Sequence, residues 1–156
     1  FSYKKFDLSL LFVGSYGNDI VNEFRKYNIT MNGKWAPTQA AFDQRWQGEG
    51  KGNTIDKPSV NSGNSIRDYA NTLWVEDGSY LRLRDITLGY TFSAKQLSFA
   101  KVSSIRLYVS AQNWLTLTNY SGYDPEVSWA APTINGWDRG NYPSTKSITV
   151  GAKVNF

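Results

Sequence analysis

Histidine and cysteine are both absent from this sequence of 156 residues. Without histidine the chain can form no Ser-His-Asp triad and offers no imidazole ligand to a metal ion. Without cysteine it can form neither a disulfide framework nor a thiolate metal site. The commonest catalytic centres are therefore excluded, and we expect the chain not to be an enzyme.

A long hydrophobic run is also lacking. No stretch approaches the roughly eighteen apolar residues that a membrane helix needs, and no charged-then-apolar leader is visible at Phe1. We therefore expect targeting information to lie outside this sequence. The net charge of +4 is small and spread over single Lys and Arg residues. Without a basic cluster, nucleic-acid binding is not expected.

Aromatic residues, by contrast, are abundant. The chain contains 10 Tyr, 8 Phe and 6 Trp, together with 13 Gly. This composition fits a β protein with long surface loops, either a carbohydrate-binding sandwich or an outer-membrane barrel. A barrel strand needs only about ten residues of alternating character, so the lack of apolar runs does not exclude a membrane.

Four segments alternate between apolar and polar residues with the period of a β-strand. They cover about residues 4–16, 80–92, 103–117 and 145–156. The third segment has the clearest alternation, with Ile105, Leu107 and Val109 on one side. On its polar side lie Arg106, Tyr108, Gln112 and Trp114.

The spacing of these segments alternates between short and long connections. Long connections cover residues 17–79 and 118–144, whereas about ten residues join the second and third segments. Barrels of the outer membrane combine short periplasmic turns with long extracellular loops. We therefore predict an all-β chain of about four antiparallel strands from a large transmembrane β-barrel, with a periplasmic C-terminus. Because the smallest such barrels use about eight strands and open edges are costly in lipid, we expect the other strands to lie elsewhere.

The second segment changes phase along its length. In a regular strand, odd-numbered and even-numbered residues point to opposite faces. The apolar residues Leu81 and Leu83 are odd-numbered, whereas Ile86 and Leu88 are even-numbered. One explanation is a β-bulge near Arg84 that restores the apolar face. The other is that residues 80–84 already stand above the lipid.

The long connections contain two local signals. Residues 34–47 predict a short helix after Pro37, since Ala40 and Ala41 favour helix. Asp124 and Glu126 flank a proline and predict a turn that orders the loop. Calcium binding and acid–base catalysis are the alternative interpretations of this acidic pair.

Several ordered stretches resemble the C-terminal region of the SusC/RagA family of TonB-linked outer-membrane proteins. They are GSYGNDIVNEFR (residues 14–25), WVEDGSYLRLRDITLGYTF (74–92), IRLYVSAQNWLTLTNYSGYDPEV (105–127) and NYPSTKSITVGAKVNF (141–156). The resemblance implies a plugged barrel of about 22 strands in the outer membrane. It also implies TonB-dependent import of an oligosaccharide or oligopeptide. The implied partners are a SusD-like surface lipoprotein, membrane lipid and the TonB complex, which would act through an N-terminal part.

Three groups of residues are candidates for function. The loop aromatics could stack on ligand, contact the lid protein or hold the loops together; they are Trp35, Trp46, Trp129, Trp137 and Tyr142. The polar residues of the third segment would face the lumen and touch cargo or plug. Phe156, in phase at the end of the last strand, would act as a barrel-assembly signal.

Two alternatives to import stay open. A barrel of the same family could serve as a structural or secretion-associated partner. A soluble, aromatic-rich β-sandwich that binds glycans would instead turn its hydrophobic face inward. No cofactor is expected in this segment, apart from the calcium alternative in an outer loop.

Overall fold

The structure, a computed structural model, describes residues 1–29, 36–51, 72–93, 102–127 and 135–156. The chain divides into two compact units. We call the first the sheet unit; it comprises Phe1–Tyr16, Tyr80–Thr118 and Pro143–Phe156. We call the second the loop unit; it comprises Gly17–Ser79 and Asn119–Tyr142.

The secondary structure is dominated by strands. In chain order they are β1 (Ser2–Tyr3), β2 (Phe6–Ser15), β3 (Asp19–Asn22), β4 (Val75–Asp77), β5 (Tyr80–Ser93), β6 (Ser104–Thr118), β7 (Trp137–Asp138) and β8 (Ser147–Asn155). The helices are α1 (Glu23–Ile29) and α2 (Gln39–Asp43), and Thr72–Trp74 forms a 3-10 turn. Within the described part of the chain, no helix is long and apolar enough to cross a membrane.

The sheet unit is a meander of antiparallel strands in the order β1-β2-β5-β6-β8. Its four long strands correspond to the four alternating segments of the sequence. The first begins at Phe6 and not near Lys4, because Lys4 and Lys5 form the turn of a β1–β2 hairpin. Lys4 has a φ of 54°, which no extended strand accommodates.

The phase change in β5 is a β-bulge at Arg84. On β2, Leu11 and Phe12 are consecutive, yet they pair with Asp85 and Leu83. The β5–β6 register also shifts between Leu83 and Asp85. The bulge returns Leu83 to the face that carries Ile86, so the first of the two sequence-based explanations is confirmed.

One face of the sheet unit is apolar and exposed. Phe12, Leu88 and Val150 are 53%, 52% and 76% exposed. The other large apolar residues exposed on these strands include Leu10, Leu81, Leu107, Val109, Leu115, Leu117 and Ile148. None of the described residues covers this surface, and the opposite face carries the polar and charged side chains.

The loop unit has its own small core. Strand β3 lies centrally, antiparallel to β4 and parallel to β7. Its buried apolar residues are Ile20, Ala41, Trp74 and Tyr120. The two long connections therefore contain regular structure and do not form simple loops.

Both helices of the loop unit begin at a capping side chain. Asn22 Oδ1 accepts the N–H of Arg25 at the start of α1, and Thr38 Oγ1 accepts the N–H of Ala41 at the start of α2. The predicted helix after Pro37 is present as α2, although it is short. Helix α1 has no counterpart in the sequence-based prediction.

Candidate functional site

The polar face of the sheet unit carries a connected set of ionic and hydrogen-bonded side chains. Arg106 binds the carboxylate of Asp7 through both Nε and Nη2, with an Nε–Oδ1 distance of 3.0 Å. Nearby, Ser110 and Thr87 both donate to Asp85, at 2.7 and 2.8 Å. Such partnered charges suit a polar interior, whereas a lipid-facing surface would not tolerate them.

Arg82 lies on the same face and is only 2% exposed. Its guanidinium donates from Nε to Thr116 Oγ1 at 3.0 Å and from Nη1 to Ser144 Oγ at 2.9 Å. Sequence reasoning did not select Arg82 as a candidate. Its polar surroundings depend on the bulge, which determines the face to which residues 80–83 point.

Two glycines make room for large side chains on this polar face. A Cβ added to Gly89 would come within 2.5 Å of Asp7 Oδ1 and 2.6 Å of Arg106 Nε. A Cβ added to Gly151 would come within 2.5 Å of the Tyr108 ring. The side chain of Arg106 therefore occupies the space above Gly89 of β5, and the ring of Tyr108 occupies the space above Gly151 of β8.

The other two polar candidates of β6, Gln112 and Trp114, lie in the C-terminal half of the strand. Gln112 pairs in register with Asp85 on one side and Ser147 on the other. Trp114 is 47% exposed and donates from its indole N–H to the carbonyl of Ser147 at 3.2 Å. All four polar candidates of β6 thus lie in the sheet unit, with Trp114 at the irregular part of the β6 register.

The aromatic candidates of the loop unit differ in their surroundings. Tyr142 is 88% exposed and Trp46 is 38% exposed. Trp137 is more enclosed, and its indole N–H donates to Glu23 Oε2 at 2.7 Å. Its geometry therefore fits the interpretation in which aromatics hold the loops together. Trp35 and Trp129 lie outside the described residues.

Two glutamates organise polar contacts that the sequence analysis missed. Glu23 accepts hydrogen bonds from Tyr27, Trp137 and Arg139. Burial opposes ionisation of this carboxyl, but the three hydrogen bonds and the Arg139 charge outweigh it and lower its pKa. Glu23 is thus an ionised connector between α1 and the segment that contains β7.

Glu76 makes the second connection. It accepts from the Ser121 backbone and hydroxyl at 3.0 and 2.9 Å, and from Asn22 and Arg25. Burial again opposes ionisation, but the hydrogen bonds and the Arg25 charge lower its pKa. These partners are up to 54 residues from Glu76, so a reading of local patterns could not find them.

The acidic pair near Pro125 forms a local turn. Asp124 is buried, and its Oδ1 accepts the backbone N–H of Glu126 at 2.9 Å. This geometry fits the loop-ordering turn among the three interpretations of the pair. Among the described residues, no group of three or more acidic side chains lies close enough to hold a metal ion.

Comparison with known proteins gives a consistent set of relatives, although no protein-family model matches the chain. TonB-dependent receptor P3 of Formosa agariphila is 32% identical over 161 residues, which cover 99% of this chain and 15% of that protein. TonB-dependent receptor SusC of Bacteroides thetaiotaomicron is 27% identical, over 99% of this chain and 14% of SusC.

A solved structure shares the fold. The RagAB peptide importer in its open-open state superimposes with a TM-score of 0.78 and 25% identity, over 99% of this chain and 16% of that chain. The chain therefore spans only 14% to 16% of the length of the relatives cited. Its antiparallel sheet corresponds to a fragment of a TonB-dependent barrel. The matches cover the chain almost completely in both sequence and fold, so this chain is similar over nearly its whole length to a segment of the TonB-dependent receptors of the SusC/RagA type.

Proposed function

We propose that this chain forms part of the wall and the outer loops of an outer-membrane transporter. The transporter imports an oligosaccharide or oligopeptide with energy delivered through TonB, and a SusD-like lipoprotein covers its outer loops. Neither the wall nor the loops carry out bond-breaking chemistry. The observation that carries the proposal is the pair of opposite sheet faces, one apolar and exposed, the other charged.

The apolar face suits hydrocarbon. A contiguous exposed surface of Leu, Val, Ile and Phe is rare on a soluble monomer and marks contact with lipid or protein. Alternate residues contribute to it along β8 and along β5 and β6 on either side of the irregularity at Arg84, as in strands that cross the outer membrane. The exposure of this face argues against the soluble glycan-binding sandwich, because a second sheet would cover the apolar face in such a fold.

The charged face suits a water-filled or plug-filled lumen. Arg106 with Asp7, and Asp85 with Ser110, are partnered within the sheet and leave donors and acceptors for a neighbour. We propose that Arg106, Tyr108, Gln112 and Trp114 line the lumen and contact the plug.

The names of the relatives support import as the activity. They are TonB-dependent receptors, and the structural relative is a peptide importer. These names favour import over the structural or secretion-associated alternative. With the C-terminus in the periplasm, the loop unit faces outward, where exposed Tyr142 and Trp46 can meet cargo or the lid.

Phe156 directly follows Asn155, the last residue of β8, and is 89% exposed. We propose that it is read by the barrel-assembly machinery. Deletion of Phe156 should lower the amount of folded protein in the outer membrane, measured by the heat-dependent shift of the folded form in SDS gels. Val154→Ala, which also trims the apolar face near this end, is the control and should have a smaller effect. Equal yields with and without Phe156 would reject the signal.

Uptake by intact cells tests the main proposal. Cells that produce the intact protein containing this chain should accumulate a radiolabelled oligopeptide or oligosaccharide from a mixed pool, and deletion of TonB should abolish that uptake. The protein should leave the membrane only in detergent. Release by alkaline buffer alone would refute the barrel assignment, and uptake that persists without TonB would refute the energy coupling.

A further inference from the structure

The loop unit contains an open cavity of about 580 Å³ beside α1, α2 and the 3-10 turn. Its floor is apolar, with Ala41 and Trp74 only 1% and 3% exposed. Ile29 and Leu73 extend the apolar lining. A volume of this size is typical of sites for small ligands.

Four polar groups line the cavity without a hydrogen-bond partner. Among the described residues, the side-chain amides of Asn28 and Gln44, the hydroxyl of Tyr123 and the buried indole N–H of Trp74 make no hydrogen bond. Asn22 and Ser121 also line the cavity, but both are engaged with Glu76. The cavity therefore offers neutral donors and acceptors around an apolar floor.

Charge contributes little to the lining. None of the described lining residues is acidic, and Arg25 is paired with Glu76 at 3.2 Å. The rings of Phe24 and Tyr123 form an aromatic wall, with centroids 5.0 Å apart and planes tilted by 43°. A neutral ligand with an apolar group fits this environment better than a charged one.

A sugar would be a poor match to the floor. Hydroxyls surround a sugar ring, and those that faced Ala41, Ile29 and Leu73 would lose their hydrogen bonds to water without replacement. A blocked or internal peptide segment separates its polar backbone from its apolar side chain. Its backbone amides can bond Asn28, Gln44 and Tyr123 while one side chain fills the floor.

We propose that this cavity is a capture subsite for short, neutral peptide segments with an aliphatic or aromatic side chain. The subsite would hold cargo on the outer loops before transport, and to that extent it rests on the proposed import function. Binding at the subsite itself requires no energy from TonB, so the two ideas can be tested apart.

Photo-crosslinking with the intact protein in detergent tests the subsite. The probe is N-acetyl-Ala-photoleucine-Ala-amide, whose diazirine reacts with adjacent side chains on illumination, and mass spectrometry locates the adducts. Adducts are expected on Ile29, Leu73 or Tyr123. Unlabelled N-acetyl-Ala-Leu-Ala-amide should suppress them, whereas maltotriose should not.

Filling the cavity provides the matched comparison. Ala40 lines the cavity on an exposed helix face, so Ala40→Leu should reduce these adducts by at least about fivefold by occupying ligand space. Ala36→Leu adds the same atoms at an exposed position outside the lining and should leave labelling unchanged. If Ala40→Leu lowers the folded yield, Gln44→Ala is the second variant, and it should weaken labelling by removing one amide.

Each other result has a definite meaning. Adducts confined to other parts of the protein, equal loss in both leucine variants, or suppression by maltotriose alone would overturn the peptide subsite. Labelling of the cavity in a protein that takes up nothing would overturn import and leave the subsite standing. TonB-dependent uptake without any adduct in the cavity would overturn the subsite and leave the import function standing.

Discussion

The contact between Tyr120 and Asp138 shows how the loop unit keeps a charge inside. The Tyr120 hydroxyl donates to Asp138 Oδ2 at 2.6 Å, and both residues are buried. Asp138 Oδ1 accepts the N–H groups of Gly140 and Asn141. Burial, followed by the bond to Asp138, raises the pKa of Tyr120 far above its ordinary value of 10.0, so the hydroxyl stays a donor.

Tyr120→Phe should destabilise the loop unit by about 1.5–3 kcal/mol, because one partner of a buried carboxylate is lost. Hydrogen exchange in the intact protein should show faster exchange of the amides around 137–141. Tyr123→Phe is the control, since that hydroxyl has no partner among the described residues and the side chain is 61% exposed. Similar protection in the Tyr120 variant and the wild type would contradict this account.

Individual residue roles were the part least accessible from sequence. Trp137 was a candidate for ligand contact, lid contact or holding the loops together, and the sequence could not show that its indole N–H binds Glu23, a residue 114 positions earlier. Arg82 and Glu76 were not recognised, because their partners also lie far along the chain. Partners of this kind are determined by tertiary packing, and local patterns do not encode them.

The long strands, by contrast, follow directly from the sequence. The alternation of apolar and polar residues has the same period as the pleat of a strand, so β5, β6 and β8 were predictable. The bulge at Arg84 was one of the two explanations that the sequence offered for the phase change. Helix α1 was missed because its seven residues, EFRKYNI, include β-formers and have little periodicity. It depends on its Asn22 cap and on packing against the rest of the loop unit.

The bulge gives a counter-intuitive prediction for deletions in β5. Removal of Arg84 would place Leu83 two residues before Ile86, so the apolar face would continue without a bulge. This deletion should preserve most of the folded barrel, whereas deletion of Thr87 should abolish it by turning one end of the strand over. Outer-membrane fractions on SDS gels, with and without heating, would measure the folded fraction. Loss of folding in both deletion variants would contradict the bulge model.

On the scale of the whole molecule, the loop unit depends on ionised carboxylates. Glu23 and Glu76 have folded-state pKa values below the ordinary 4.5. Their contribution to stability is therefore complete above about pH 4.5 and is lost as the pH falls through the lower folded-state pKa. The loop unit should open in acid before the sheet unit does.

Limited proteolysis of the intact protein between about pH 7 and pH 3 would detect this opening, with an acid-active protease at the low end. Glu76→Gln should already be more susceptible at neutral pH and should lose less additional protection in acid. A loop unit that is equally resistant across this range would show that the two glutamates do not control its stability.

The apolar belt of the sheet unit predicts how charge affects membrane insertion. Leu88 is 52% exposed on this face and pairs with Leu8 and Val109. Leu88→Arg should reduce the folded fraction in the outer membrane strongly, since an arginine in the lipid-facing belt costs about 2–4 kcal/mol at the midplane. Ser9→Arg, on the polar face of the adjacent strand, should be tolerated. Equal tolerance of both arginines in the membrane fraction would refute the assignment of the two faces.

The shared core of the loop unit has a consequence for how this surface can vary. Glu23 and Glu76 belong to the first long segment, whereas their donors Trp137, Arg139 and Ser121 belong to the second. A chimera that takes the second segment from a relative without these donors would leave each carboxylate with only part of its hydrogen bonds. Glu23 would keep Tyr27, and Glu76 would keep Asn22 and Arg25. The two segments must therefore be inherited or transplanted as a pair, and variants that escape a phage or an antibody at one segment should carry compensating changes in the other.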